Sequence, residues 1–360
     1  MASWKKADLT ELSEAPMAQG RPFAYVTGDG SSPIPRVLYT GQDSHIHELR
    51  LEGGSWNRAD LMDQVGEPPD AVGFPFAYVT HVEGTPISRV IYRGNDNHVH
   101  ELRLEGGGWR KADLMQQAGG APDAQGNPTA CVTAMQRKQV ARVVFRAADN
   151  HLHEVRLEDG SWKQADLSEL AGASDAAGDP SVYVTENGSE QTARIVYRGP
   201  DAHIHELRLE AGGSWKKADL SQLTSAPDAA SEPFASVPDG IPRVIFRGAD
   251  SHVQELRLDD DAWKKADLTS LADASSAEGR PAAYASDDHT PRVVYRSGNG
   301  HITELRLESS SWKKADLTDL SGAPPAAGDP IGYVTPTGSG STPRVVYRDS
   351  EGHLRELRLE

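Results

Sequence analysis

One signature, W-x-x-A-D-L, constrains this chain more than anything else in it. It opens at each of the seven tryptophans, Trp4, Trp56, Trp109, Trp162, Trp215, Trp263 and Trp312, so the repeat period is about 50 residues. A Pro/Ala/Gly-rich connector follows each signature, as in Ser321-Gly322-Ala323-Pro324-Pro325, and breaks both helix and strand. Next comes a short apolar run after a proline, such as Pro75-Phe76-Ala77-Tyr78-Val79-Thr80. A β-branched run carrying an arginine comes third, such as Arg292-Val293-Val294-Tyr295-Arg296. The unit closes with a segment of the form H-x-x-E-L-R-L-E, such as His203 to Glu210.

Each unit therefore offers four short strands separated by turn residues, the pattern of a propeller blade. No sustained 3.6-residue apolar period argues for a helical solenoid, although the connectors have room for one helical turn. The expected fold is all-β: a seven-bladed β-propeller with four-stranded blades, forming one domain over residues 1–360. The chain ends on a third strand, Leu354 to Glu360, and begins on a fourth, Trp4 to Leu9. We expect the N-terminal strand, residues 4–9, to complete the last blade, which closes the ring and leaves no open end blade.

Composition narrows the function. A hydrophobic content of 37% suits burial spread over thin sheets, and a net charge of −16 lacks the basic face that nucleic acid requires. The same charge disfavours anionic membranes, and no apolar run approaches the ~20 residues of a span. The lone Cys131 allows no intrachain disulfide. The repeat motif starts at once after Met1, so the expected location is cytoplasmic, or released without a cleaved signal.

In every repeat an arginine of the second strand precedes a glutamate of the third by twelve residues. A hairpin centred near residue 42 places Arg36 opposite Glu48, with Leu38 and Ile46 on the same face. Two readings follow. One is a cross-strand ion pair copied by duplication, worth at most ~1 kcal/mol each. The other is carbohydrate binding, for which a guanidinium fork, an acceptor carboxylate and an aromatic plate are the matching groups.

R-V-x-Y on the second strand, I-x-E on the third and S-W or G-W before the fourth resemble the fucose-binding β-propeller lectins of fungi and bacteria. The resemblance implies a multivalent, non-enzymatic protein whose partners are carbohydrates, fucosylated glycans first. It implies sites between blades, with Arg and Glu from one blade and Trp from the next. Carried over, Arg36 and Glu48 face Trp109, Arg89 and Glu101 face Trp162, and Arg142 and Glu154 face Trp215. Arg194 and Glu206 face Trp263, and Arg243 and Glu255 face Trp312. Arg292 and Glu304 face Trp4, and Arg344 and Glu356 face Trp56. Leucine stands where the family has a second aromatic, three residues after each glutamate, as at Leu51 and Leu209.

Other recurring groups read as structural. The aspartates of A-D-L, Asp8 through Asp316, are placed to bind backbone N–H groups of the connector. Paired histidines such as His45/His47 share a strand face, a spacing that suits zinc. The second histidine is lost in the last three repeats, so packing or turn bonding is expected, with no metal and no cofactor. No nucleophile elbow, P-loop or dinucleotide fingerprint appears. An enzyme or small-molecule site in the central channel, and a protein-interaction platform, remain the alternatives.

Overall fold

The computed structural model describes residues 3–28, 32–135, 138–187, 190–286, 289–337 and 340–360. Seven four-stranded antiparallel sheets follow one another around a ring, as the repeat predicts. Blade 1 is Phe23–Thr27, Ile34–Thr40, Ile46–Glu52 and Ser55–Asp60, from the axis outward. Blade 7 consists of Ile331–Thr337, Gly340–Arg348 and Leu354–Leu359, with Trp4–Asp8 as its outermost strand. Trp4 stands opposite Leu359 and Asp8 opposite Arg355, so the chain start closes the ring as expected.

Each A-D-L aspartate has two tasks. Its Oδ1 accepts the N–H three residues on, capping a one-turn helix such as Leu9–Ser13 or Leu167–Ala171. Its Oδ2 accepts from Nδ1 of the first histidine of the third strand, at 2.7–2.8 Å in all seven blades. The last such pair, His353 with Asp8, joins chain end to chain start. Blade 1 differs only in its connector, where Asp63–Val65 forms a 3-10 turn.

Aromatic residues of the second strand, Tyr39, Tyr92, Phe145, Tyr197, Phe246, Tyr295 and Tyr347, are at most 1% exposed. Each tyrosine among them donates its hydroxyl to a connector carbonyl, as Tyr39 does to Pro16 at 3.0 Å. One side chain thus packs the interior and fastens the connector over it. Burying such a group stabilises the fold by ~1.5–3 kcal/mol, which seven copies distribute evenly around the ring.

The second histidine stacks on this aromatic; the His47 ring centroid lies 5.3 Å from that of Tyr39. Its Nε2 meets the turn residue Asp43 at 3.0 Å. Packing and turn bonding therefore engage both histidines. The most populous group of metal-ligating types among the described residues is Asp149, His151, His153 and Asp166, with ligand atoms within 4.8 Å of one another. Hydrogen bonds within that group account for its geometry. Among the described residues no helix is long and apolar enough to cross a membrane.

Candidate functional site

The hairpin register differs from expectation by one pair. Arg36 stands opposite Arg50, and Glu48 opposite Leu38, so Arg36 and Glu48 are diagonal neighbours on one face. The diagonal still lets them meet, because a long guanidinium spans it. Arg Nη1 lies 2.6–2.9 Å from the glutamate Oε1 in all seven blades.

Two further groups that the sequence reading passed over complete the unit. Tyr25 pairs with Arg36 in register, so it lies on the same face and donates its hydroxyl to Glu48. Tyr78, Tyr183, Tyr284 and Tyr333 repeat this contact, at 2.5–3.1 Å. Arg36 Nε donates to Thr27 at 2.7 Å, and Thr80, Thr133 and Thr185 serve the same way. The signal was the two-residue spacing of Tyr and Thr in F-A-Y-V-T, which puts both on the arginine's face.

These seven glutamates, Glu48, Glu101, Glu154, Glu206, Glu255, Glu304 and Glu356, are at most 1% exposed. They present no surface to a ligand; they hold the arginines. Electrostatics agrees with this. Burial lowers the pKa of Arg89, but Glu101 and Tyr78 together more than offset that and raise it. Burial, then Glu101, pushes the Tyr78 hydroxyl well above its ordinary value. Arg36, Arg194, Arg292 and Arg344 and their tyrosine partners shift the same way. The second arginine, two residues after the glutamate, comes within 3.3–3.9 Å of Oε2 in six blades, as Arg50 and Arg156 do.

Each tryptophan reaches the expected blade interface. Trp109 packs with Leu38 and Ile46 of blade 1, and Trp215 with Val144 and Leu152 of blade 3. Trp162 packs against Ile91, Trp263 against Val196 and Trp312 against Val253. Trp4 and Trp56 share the cluster that joins blades 6, 7 and 1. Five of the seven are 7–9% exposed, whereas Trp162 and Trp263 are less deeply buried.

The groove between blades 4 and 5 is open. Arg194 and Trp263 both line a cavity of about 670 Å³ there, with Thr192 and Arg208. A second cavity of about 1020 Å³ continues it and shares Thr192, Arg194, Leu258 and Asp261. The first strand of blade 5, Phe234–Ser236, has three residues, against seven in blade 4, Ser181–Asn187. Arg194 is the most exposed of its set, at 15% of its side chain. Its Nη1 and Nε are bound to Glu206 and Thr185, and Nη2 donates to nothing among the described residues. Arg208 pairs with Glu210 at 2.5 Å, and this bond, ahead of the Coulombic attraction, lowers the Glu210 carboxyl. The wall thus offers guanidinium donors, carboxylate acceptors in Glu210 and Asp261, and apolar surface from Trp263, Leu209 and Leu223.

No protein-family model and no curated protein matches the chain. Solved structures do. AofleA from Arthrobotrys oligospora aligns over 88% of this chain and 90% of its own, at 16% identity and a TM-score of 0.56. The fold is that of the fucose-specific β-propeller lectins. The lectin from Aleuria aurantia, a six-bladed propeller, aligns over 85% of this chain and 97% of its own, at 15% identity and a TM-score of 0.55. SapL1 lectin, solved with α-methyl fucoside, aligns over 86% of this chain and 98% of its own, at 18% identity and a TM-score of 0.50. This propeller shares their blade plan and has one blade more than the Aleuria lectin.

Proposed function

We propose that the chain is a lectin-like carbohydrate-binding protein, with the groove between blades 4 and 5 as its best-formed site. The observation that carries this is the meeting of Arg194 and Trp263, from adjoining blades, in one open cavity. A sugar needs donors and acceptors for its hydroxyls and an apolar plate for its C–H face. Arg194 and Arg208 donate, Glu210 and Asp261 accept, and Trp263 with the leucines forms the plate. Glu206 acts from beneath by fixing Arg194.

The solved lectins of this fold include one described as fucose-specific and one crystallised with a fucoside, so fucosylated glycans are the first ligands to try. The remaining grooves, from Arg36/Glu48/Trp109 through Arg344/Glu356/Trp56, hold the same residue types. Sites spread around one ring gain avidity on a glycan-bearing surface.

The test is isothermal titration against L-fucose and a panel of monosaccharides, backed by a glycan array. Saturable heat that Arg194→Ala and Trp263→Ala each abolish supports the proposal. A silent panel together with a blank array overturns it.

A further inference from the structure

One position of the repeat, the residue before the proline near the start of each first strand, changes in charge and size from copy to copy. There the seven copies read Arg21, Phe74, Asn127, Asp179, Glu232, Arg280 and Asp329. These first strands surround the axis, and the divergent residues gather at one end of it. A cavity of about 160 Å³ lies among them, walled by six of the seven blades.

The acidic and amide members are folded back onto their neighbours. Asn127 Oδ1 accepts from Phe74 N at 3.0 Å. Asp179 accepts from Asn127 N and from Asn127 Nδ2, at 3.0 and 2.6 Å, so both its oxygens are engaged. A Cβ added to Gly279 would lie 1.9 Å from Asp329 Oδ1, which shows that this carboxylate rests over the glycine of the preceding blade. Glu232 lies against Gly178 in the same way. Neither Glu232 nor Asp329 belongs to the cavity wall.

The two arginines are placed differently. Arg21 lies over the Phe74 ring, 4.3 Å from its centroid, and forms no ion pair within 4.0 Å among the described residues. Arg280 is 8% exposed; its Nη2 donates to the Pro233 carbonyl, and its Nε has no partner among the described residues. Burial, and after it the nearby Arg21, lowers the Arg280 guanidinium to about 9. The ionisable wall is therefore two guanidiniums against one already engaged carboxylate. Phe23, Phe74, Phe76 and Phe234 supply aromatic surface, beside Asn127, Thr129 and Ser181.

We propose that this axial cavity is a binding site for one small organic carboxylate with an apolar body. Arg21 and Arg280 receive the carboxylate: neither has an ion-pair partner within 4.0 Å among the described residues, and the attraction of Asp179, Glu232 and Asp329 from farther off does not offset the burial of either guanidinium. The phenylalanines receive the body. The site is separate from the inter-blade groove and does not depend on sugar binding.

Titration of the intact protein with benzoate, against its neutral isostere benzamide, tests this. One benzoate should bind per chain and raise the melting temperature, and benzamide should do neither. Arg21→Gln and Arg280→Gln should each weaken benzoate at least about tenfold, the equivalent of ~1.4 kcal/mol. Phe76→Ala should weaken benzoate while leaving acetate unchanged. Trp263→Ala should leave benzoate binding intact, which keeps this site distinct from the groove. Absence of benzoate binding at about 10 mM, weaker than the ~4.1 kcal/mol of millimolar affinity, overturns the proposal. So does equal binding of benzamide, a comparison that needs no variant to fold.

Discussion

Glu206→Gln separates a glutamate that holds its arginine from one that touches sugar. The side chain is 0% exposed, and its Oε1 accepts from Arg194 at 2.9 Å and from Tyr183 at 2.8 Å. Glutamine keeps the volume and one acceptor but removes the charge, leaving Arg194 buried without a counter-ion. Removing one partner of a buried pair costs ~3–5 kcal/mol. Arg194 retains 15% exposure and water reaches it, so ~2–3 kcal/mol is expected. An unfolding entropy of ~2.1 cal/mol/K per residue converts that into a melting-point loss of about 3–4 °C for 360 residues. The matching change in blade 3, Glu154→Gln, leaves Arg142 with only 7% exposure and should cost more, nearer the full ~3–5 kcal/mol. Calorimetry on both variants, with sugar titration on the first, provides the readout. An unchanged melting point together with lost sugar binding would refute the reasoning, because the glutamate would then act on the ligand directly.

Trp215→Ala removes a 7% exposed side chain from an inter-blade cluster and should cost ~3–5 kcal/mol in chemical denaturation, whereas Trp263→Ala should cost less and instead lose sugar binding. Asp8→Ala removes a helix cap and the contacts of His353 at 2.7 Å and Arg355 at 2.6 Å. The cap alone is worth ~1 kcal/mol, and a urea midpoint lowered more than in Asp60→Ala would mark Asp8 as the ring's latch. Stability should also depend on pH. Hydrogen bonds donated to the capping aspartates, acting first, raise the pKa of His98, His151, His203 and His252. A raised folded value means the stabilisation is complete below pH ~6.5 and is lost as pH rises through that value. Melting temperature should therefore fall between pH 6 and pH 9. At the acid end, histidine and backbone hydrogen bonds outweigh burial and lower Asp96, Asp149 and Asp201. Their contribution is present above ~3.9 and lost as pH falls through the lower folded values, so melts from pH 3 to pH 9 should trace a dome.

Much of this was legible in the residues because a repeat states its own architecture. W-x-x-A-D-L and the connector after it separate the strands, and the mismatch between first and last elements implies the ring closure found at Trp4–Asp8 and Leu354–Leu359. The Asp cap also follows from short-range pattern, whereas the tryptophan's blade partner is what the resemblance to the lectins implies. Three matters lay beyond it. Hairpin register turned on a single pair, and the count of turn residues did not fix whether Arg36 faces Glu48 or Arg50. Tyr25 and Thr27 were visible as letters, but only pairing of the first strand with the second brings them onto the arginine's face. The open groove depends on Arg194 of blade 4 meeting Trp263 of blade 5, and the axial cavity on residues about 50 positions apart arriving at one point. Sequence determines what repeats, because local propensity and spacing recur with it. Tertiary structure decides where the copies differ in consequence, because a groove or a channel is made by neighbours that no local pattern specifies.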